Sequence, residues 1–526
     1  MKKTNVMTEH VLEIFDLTDQ GDGLAKTQQG QVVFVPHSVP GDLIKAETVP
    51  LKKNIRQAKI VVLVEKSVNR QSVPCPYFSD GLTETADEAA SQDLPEKSGC
   101  GGCQVQALKY ADLISVKENI LRSQLERIAQ IDLTEIDFKP IIGMQNPWYY
   151  RNNVQLKVQY NVITEQFEFG FFARKSNEII VHQKCLISQP TDSIICRVII
   201  QKLAQAEPEL QKNLIEYWDE LIIRTGENSK EILVALSFSK VNNSLFIAGY
   251  KSVWQEIFDA VNSELSGLSE NYTLRSLWFL DQENSRNDKH LLGEEFFTEI
   301  ISGKHFQIYP RSFFQVNTKQ TEVMFRTIRE FVVKALQNKY YSPDDSLNKL
   351  QNDFLNQQEY DKFQKNPATL YDLYCGTGTI GIILSDLFQK IKGVESFPSS
   401  VQNAKQNARL NSINNAEYFT DKAEDWLGGQ QISEQDFIVV DPPRKGLDKT
   451  LIKTLNQSKA SDLIYVSCHP GTLSRDLKLL KDEWQIKIIQ PVDMFPWTMH
   501  IETVVSLSKP DVNGDERLNR SYSEHY

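Results

Sequence analysis

Between residues 367 and 508 the chain alternates apolar strand-like runs with stretches of helical period, and few folds accommodate that alternation. Strands are predicted at 369–373, 391–395, 416–420, 436–440, 462–467, 486–491 and 502–508, with a helix after each of the first five. Such a pattern specifies a doubly wound α/β sheet, which binds ligands in the crevice outside the carboxyl ends of its strands. The last two strands lack a long helix between them, so one of them is expected to run antiparallel in an edge pair.

Chemistry-bearing residues fall at those strand ends. Asp372-Leu373-Tyr374-Cys375-Gly376-Thr377-Gly378-Thr379 closes the first strand and opens a helix, and its glycines let the backbone approach a ligand closely. The third glycine of the dinucleotide fingerprint is missing. The next strand ends in Glu395, a carboxylate able to accept from a pair of ribose hydroxyls, and the combination favours S-adenosylmethionine over a dinucleotide. Asp441-Pro442-Pro443-Arg444-Lys445-Gly446 forms a stiff loop that can fix an acid and its carbonyls against a flat base. One strand further on, Ser467-Cys468-His469-Pro470 offers a thiol, and His500-Ile501-Glu502 offers a carboxylate at the start of the last strand. A thiolate that adds to carbon 6 of uracil makes carbon 5 nucleophilic, and a base must then remove the carbon 5 proton. Cys468 and Glu502 are the candidates for those two roles; Cys375, inside the cofactor loop, reads as structural.

At 526 residues the chain is too long for one core, so three or more domains are expected. A small all-β module of the oligonucleotide-binding barrel type is predicted in residues 1–70, with strand-like runs between the turn signals at Gly21-Asp22-Gly23 and Pro40-Gly41-Asp42. Its second half carries Lys45, Lys52, Lys53, Arg56, Lys59, Lys66 and Arg70 against Glu47 and Glu65, a local surplus suited to phosphate contacts. Overall the formal net charge is −11, so nucleic-acid binding must rest on such local surface. A central α/β domain is placed at 71–310, with a helical stripe through Leu108, Leu113, Val116, Ile120, Leu121 and Leu125 and an acidic loop at 79–99. The catalytic domain is placed at 311–508, with a polar insertion at 340–366 and a polar tail at 509–526. No run approaches the ~20 apolar residues of a membrane span, and no apolar signal-peptide core follows the N-terminus. A cytoplasmic protein is expected.

Seven cysteines in such a chain argue against a disulfide framework and for a reducing compartment. Cys75, Cys100, Cys103 and Cys185 can supply four thiolates to one centre, either an iron–sulfur cluster or structural zinc. Zinc usually takes two C-x-x-C knuckles; only Cys100-Gly101-Gly102-Cys103 is present, which favours the cluster. Cys196 is left over for a core.

Together these motifs resemble the RNA 5-methyluridine methyltransferase family, most closely its bacterial branch acting on 23S ribosomal RNA, over nearly the whole chain. The resemblance implies a TRAM domain at the N-terminus that grips RNA. It implies a [4Fe–4S] cluster on Cys75, Cys100, Cys103 and Cys185, and a central RNA-facing domain at Tyr150-Arg151-Asn152 and Gly170-Phe171. In Ser312-Phe313-Phe314-Gln315-Val316-Asn317 it makes Gln315 a cofactor contact, and by the same carry-over Tyr374, Glu395 and Asp441 touch S-adenosylmethionine. It makes Cys468 the nucleophile and Glu502 the proton acceptor, in agreement with the reading from residues. Relatives have a short spacer between the first cysteine and the knuckle, so the acidic segment reads as an inserted loop that leaves the four thiols together. The expected substrate is 23S ribosomal RNA, with no DNA or membrane partner and a monomeric state. Alternatives are the same chemistry on a transfer-RNA uridine, methylation of an exocyclic base nitrogen, or a non-catalytic RNA-binding factor on a methyltransferase fold. A radical S-adenosylmethionine enzyme is disfavoured, because its compact three-cysteine loop is missing.

Overall fold

A computed structural model describes residues 8–52, 54–78, 99–239, 250–340 and 367–510. The acidic loop and the 340–366 insertion, apart from their end residues, and most of the polar tail lie outside these.

The C-terminal sheet has eight strands in the order Ala416–Thr420, Lys390–Glu395, Thr369–Leu373, Phe437–Val440, Asp462–Ser467, Glu502–Ser508, Gln485–Val492 and Asp137–Phe138. Every expected strand is present, with ends shifted by one residue at most. The pleat sends alternate side chains to opposite faces. Leu370, Val439, Ile464, Val466 and Val504 join one core, under the helix Thr318–Tyr340. Their neighbours Tyr371, Leu373, Ile438, Val440, Leu463, Tyr465, Val505 and Leu507 join the core on the other face. Burial on both sides explains why these strands read as continuous apolar runs rather than alternating ones.

Two features differ from the sequence expectation. Glu502–Ser508 is the antiparallel strand, but it is interior: it inserts between Asp462–Ser467 and Gln485–Val492. The edge is closed instead by Asp137–Phe138, which pairs parallel with Gln485–Val492. The preceding helix, Tyr110–Gln124, also packs on this sheet, through Leu121 and the adjoining Leu125 and Ala129. Residues 121–142 therefore join the catalytic layer, although they lie in the stretch assigned to the central domain, while Leu113 packs in the core beside the cysteines. Local patterning cannot show this, because an amphipathic helix carries no record of which sheet it covers.

The central region is a seven-stranded sheet, antiparallel except where Glu231–Phe238 runs parallel to Thr273–Asp281, the two joined across the helix Lys251–Ser266. At the N-terminus, six strands run from Thr8–Glu13 at one edge to Asp16–Leu17 at the other. Laid flat, six strands hold their edges about 24 Å apart. The three steps from Glu13 to Asp16 reach at most about 11 Å, so the sheet must roll up, around Leu12, Ile14, Ala25, Val33, Val35, Ile44 and Ala46. Arg70, one of the basic residues assigned to phosphate contact, is buried in an ion pair with Asp42 (2.6 Å) and serves the barrel's own structure. Lys45 pairs with Glu9 at 3.0 Å on the surface. No helix among the described residues is long and apolar enough to cross a membrane.

Lys117 sits on the buried face of Tyr110–Gln124 and is fully buried. Its ammonium reaches Asp493 at 2.6 Å and donates to the carbonyls of Phe495 (3.1 Å) and His500 (2.9 Å). Lys117→Met should cost about 3–5 kcal/mol, because Asp493 and two carbonyls are left buried without their donor. The check is a lowered Tm with faster amide exchange confined first to residues 493–501; exchange unchanged there would refute the role.

Candidate active site

The carboxyl edge of the sheet collects the predicted residues by register. Ser467 stands opposite Thr503 in the antiparallel pair. The next residues outward are Cys468, directly after Asp462–Ser467, and Glu502, the first of Glu502–Ser508, and the two interact electrostatically at this edge. On the other side of Cys468, Phe437–Val440 runs parallel to Asp462–Ser467 and delivers Asp441 to the same edge. Thiol and carboxylates therefore meet because three adjacent strands end at one level.

Charge in this cluster is tightly balanced. Glu502 is buried, 3% exposed, and burial with the nearby Asp441 raises its carboxyl well above the usual range, an effect opposed by Arg444. Asp441 is pushed up to about 7 by loss of solvent. The Cys468 thiol is pushed up to about 12 by burial first, then by Glu502 and Asp441, while Arg444 pulls it down. Sequence reasoning missed Arg444 as a site residue, though it lies in the quoted Asp441–Gly446 loop. That loop is held by Thr472, whose Oγ1 donates to the Arg444 carbonyl (3.1 Å), and by Arg475, whose Nη2 donates to the Lys445 carbonyl (2.9 Å).

The cofactor loop lies two strands from Cys468, across Phe437–Val440. Tyr374, Gly376 and Gly378 all have positive φ (61°, 52° and 80°), which turns the chain sharply out of Thr369–Leu373. A Cβ on Gly376 would project into open space. The Gly376 amide donates to Glu395 Oε2 (3.3 Å), and Ser396 Oγ and the Phe397 amide donate to Oε1 (3.0 Å each), fixing that carboxylate. Behind it, the buried Asp372 accepts from the Gly381 amide (2.9 Å), while its other oxygen has no partner. An open glycine cradle beside a fixed carboxylate and an orphaned buried acid fits a nucleoside carrying a cationic group. Tyr374 is partly buried and packs against the core on one face of the sheet. Cys375 is buried, and burial raises its thiol well above the ordinary value, which leaves it inert.

Gln315 lies in the strap between the hairpin at 297–308 and the helix Thr318–Tyr340. Its carbonyl accepts from Asn152 Nδ2 (3.1 Å). On one side Ser312 Oγ meets Asn403 Oδ1 (3.1 Å); on the other, Asn317 Nδ2 donates to the Met494 carbonyl (3.0 Å). Asn317 also caps the helix through the Gln320 amide (3.1 Å). The strap thus spans from the helix after Glu395 to the loop before Glu502, with Phe313 left 67% exposed.

The four remaining predicted cysteines also meet. Cys75, Cys100, Cys103 and Cys185 line one cavity of about 210 Å³, with Phe171, Ile187 and Arg151. The Cys100 amide donates to the Tyr77 carbonyl (2.8 Å), so the chain leaves and re-enters at one place around the acidic segment, as an inserted loop requires. Gly101 lies against Phe172, leaving no room for a side chain, and the Gly102 amide donates to Cys100 Sγ (3.4 Å). Among the described residues, no three His, Cys, Asp or Glu side chains are close enough to share a single metal ion. Burial pushes the Cys100 thiol up to about 12.

The fold and the sequence resemble those of known proteins. The sequence profile of the tRNA (uracil-5-)-methyltransferase family matches residues 317–510. An uncharacterized RNA methyltransferase from Halalkalibacterium halodurans is 32% identical over 94% of this chain and 95% of its own. One from Listeria monocytogenes is 31% identical over 93% and 95%. The chain belongs to this family of RNA methyltransferases, and its C-terminal part matches the uracil-5 profile. The enzyme also shares its fold with the Pyrococcus abyssi tRNA (uracil-54, C5)-methyltransferase crystallised with S-adenosyl-L-homocysteine, at a TM-score of 0.63 and 23% identity, over 95% of this chain and all of that one. Its relatives make it an RNA methyltransferase.

Because the free enzyme holds the Cys468 thiol protonated, its alkylation rate should climb about tenfold per pH unit from about pH 7 to 10 without a plateau. Mass spectrometry of the iodoacetamide-labelled peptide reads this directly, and a plateau near pH 8 would contradict it.

Proposed function

We propose that the enzyme methylates carbon 5 of a specific uridine in 23S ribosomal RNA through a covalent bond between Cys468 and carbon 6. The single observation that carries the chemistry is the meeting of Cys468, one residue past the Ser467–Thr503 pair, with Glu502, Asp441 and Arg444 at one edge of the sheet. A flat base extruded from its stack would enter beside the Asp441-Pro442-Pro443 loop. The Cys468 thiolate adds to carbon 6, and the electron pair of the 5,6 double bond makes carbon 5 nucleophilic. S-adenosylmethionine, held by Gln315, Tyr374, Glu395 and Asp441, supplies an electrophilic methyl group. Glu502 then takes the carbon 5 proton, the double bond re-forms, and the thiolate leaves. Burial makes Glu502 a stronger base once it is ionised, and Arg444 favours that ionised form.

Ribosomal RNA as the substrate is supported by the four-cysteine pocket and the rolled N-terminal sheet, which the 23S-specific branch combines as a [4Fe–4S] domain and a TRAM barrel. A cavity of this size suits a cluster better than one zinc ion, which would draw four sulfurs to about 2.3 Å. Arg151 in the wall would offset the negative charge of a thiolate-bound cluster. A transfer-RNA uridine is the second reading, favoured by the description of the matching family and by the archaeal structure.

RNA containing 5-fluorouridine should trap the protein, because fluorine cannot be removed as a proton; the adduct should map to Cys468, and mapping to Cys375 would sink the assignment. With ordinary RNA, Glu502→Gln should accumulate adduct while turnover falls about 10²–10⁴-fold. Sequencing ribosomal and transfer RNA from a deletion strain decides the substrate by which pool loses 5-methyluridine. Anaerobically purified protein should contain iron and sulfide that Cys103→Ala loses, whereas stoichiometric zinc would refute the cluster.

A further inference from the structure

His500 is quoted in the sequence beside Glu502, yet the chemistry above gives it no task. Its Nε2 lies 3.1 Å from Arg444 Nη2. A guanidinium only donates, so Nε2 must be the unprotonated nitrogen and the ring proton must lie on Nδ1. Burial pushes the His500 imidazolium down to about 4, helped by the charges of Arg444, Lys117, His469 and Arg151, so the accepting form persists at neutral pH. The ring packs edge-on against Phe495, with centroids 5.8 Å apart. The residue's backbone is tied on both sides, by Lys117 Nζ to its carbonyl (2.9 Å) and by its amide to Thr498 Oγ1 (3.2 Å). Arg444, by contrast, is exposed and anchored through its main chain.

We propose that His500 is a positioning residue whose neutral ring holds the Arg444 guanidinium beside Cys468 and Glu502, so that this cation supports the thiolate. The need is electrostatic. A thiolate at Cys468 forms next to Glu502 and Asp441, both acidic, and Arg444 is the cation that opposes them at both Cys468 and Glu502. A long exposed arginine samples many rotamers, so a rigid acceptor fixes where its charge acts. The proposal rests on the covalent reading of Cys468.

The test measures alkylation of Cys468 in the full-length enzyme without RNA, at about pH 9 where the rate follows the thiolate fraction. Arg444→Ala and His500→Ala should each slow it about three- to tenfold, and the double variant should be no slower than Arg444→Ala alone. His500→Gln, whose amide oxygen reaches the Nε2 position, should restore most of the rate; His500→Asn, which falls short, should not. S-adenosylhomocysteine binding should stay at the wild-type level throughout, separating the effect from misfolding. Wild-type alkylation in His500→Asn, or effects of the two alanine variants that multiply, would overturn the proposal. Methyl transfer by the unaltered enzyme is scored separately, so failure of the uracil reading and failure of the His500 assignment are told apart.

Discussion

The buried ion pair between Lys117 and Asp493 is the point on which the catalytic edge depends. One ammonium holds the Asp493 carboxylate and two carbonyls of the loop that leads into Glu502. Asp493 in turn accepts from Tyr110 (2.7 Å), and its carbonyl accepts from Gln320 (3.1 Å), so two helices converge on it. A buried pair of this kind is costly to assemble and more costly to break, which makes it a device for placing a loop rather than for adding stability. Its placement matters because Glu502 begins its strand directly after that loop, and an error of an ångström there would carry the base away from Cys468.

The same loop is gripped from the cysteine pocket. The Gln104 amide donates to the Trp497 carbonyl and its side chain accepts from the Met499 amide, both at 2.9 Å. Gln104 adjoins Cys103, so the knuckle is tied to the loop that precedes Glu502. Trp497, with φ at 64°, stacks on Trp148 at 4.5 Å and donates to the Pro147 carbonyl. The segment 493–500 is thus a keystone shared by the central region and the catalytic sheet, which explains why a chain with several cores still presents one rigid site.

Much of the catalytic sheet was legible because its strands are apolar on both faces and its turns carry Gly, Pro and Asp at the strand ends. That the Gly376 loop, the Asp441 loop, Cys468 and Glu502 fall at the carboxyl edge of the sheet was legible for the same reason. The interior place of Glu502–Ser508 was not legible, since strand order depends on pairing between segments remote in sequence. The buried place of Lys117 was not legible either, since nothing local pairs it with Asp493, 376 residues away. The basic surplus near residues 45–70 was overcounted, because charge composition does not reveal that Arg70 is buried against Asp42.

By itself the sequence determined which segments become strands and helices and which side chains carry chemistry, because burial pattern and turn chemistry act over a few residues at a time. It also determined that four cysteines were available for one centre. Tertiary structure alone decided that Cys468 and Glu502 come to one edge of the sheet, that the four thiols line a common cavity, and that Arg444 meets His500. Those juxtapositions follow from strand register and from contacts between residues tens to hundreds of positions apart, which no local pattern encodes.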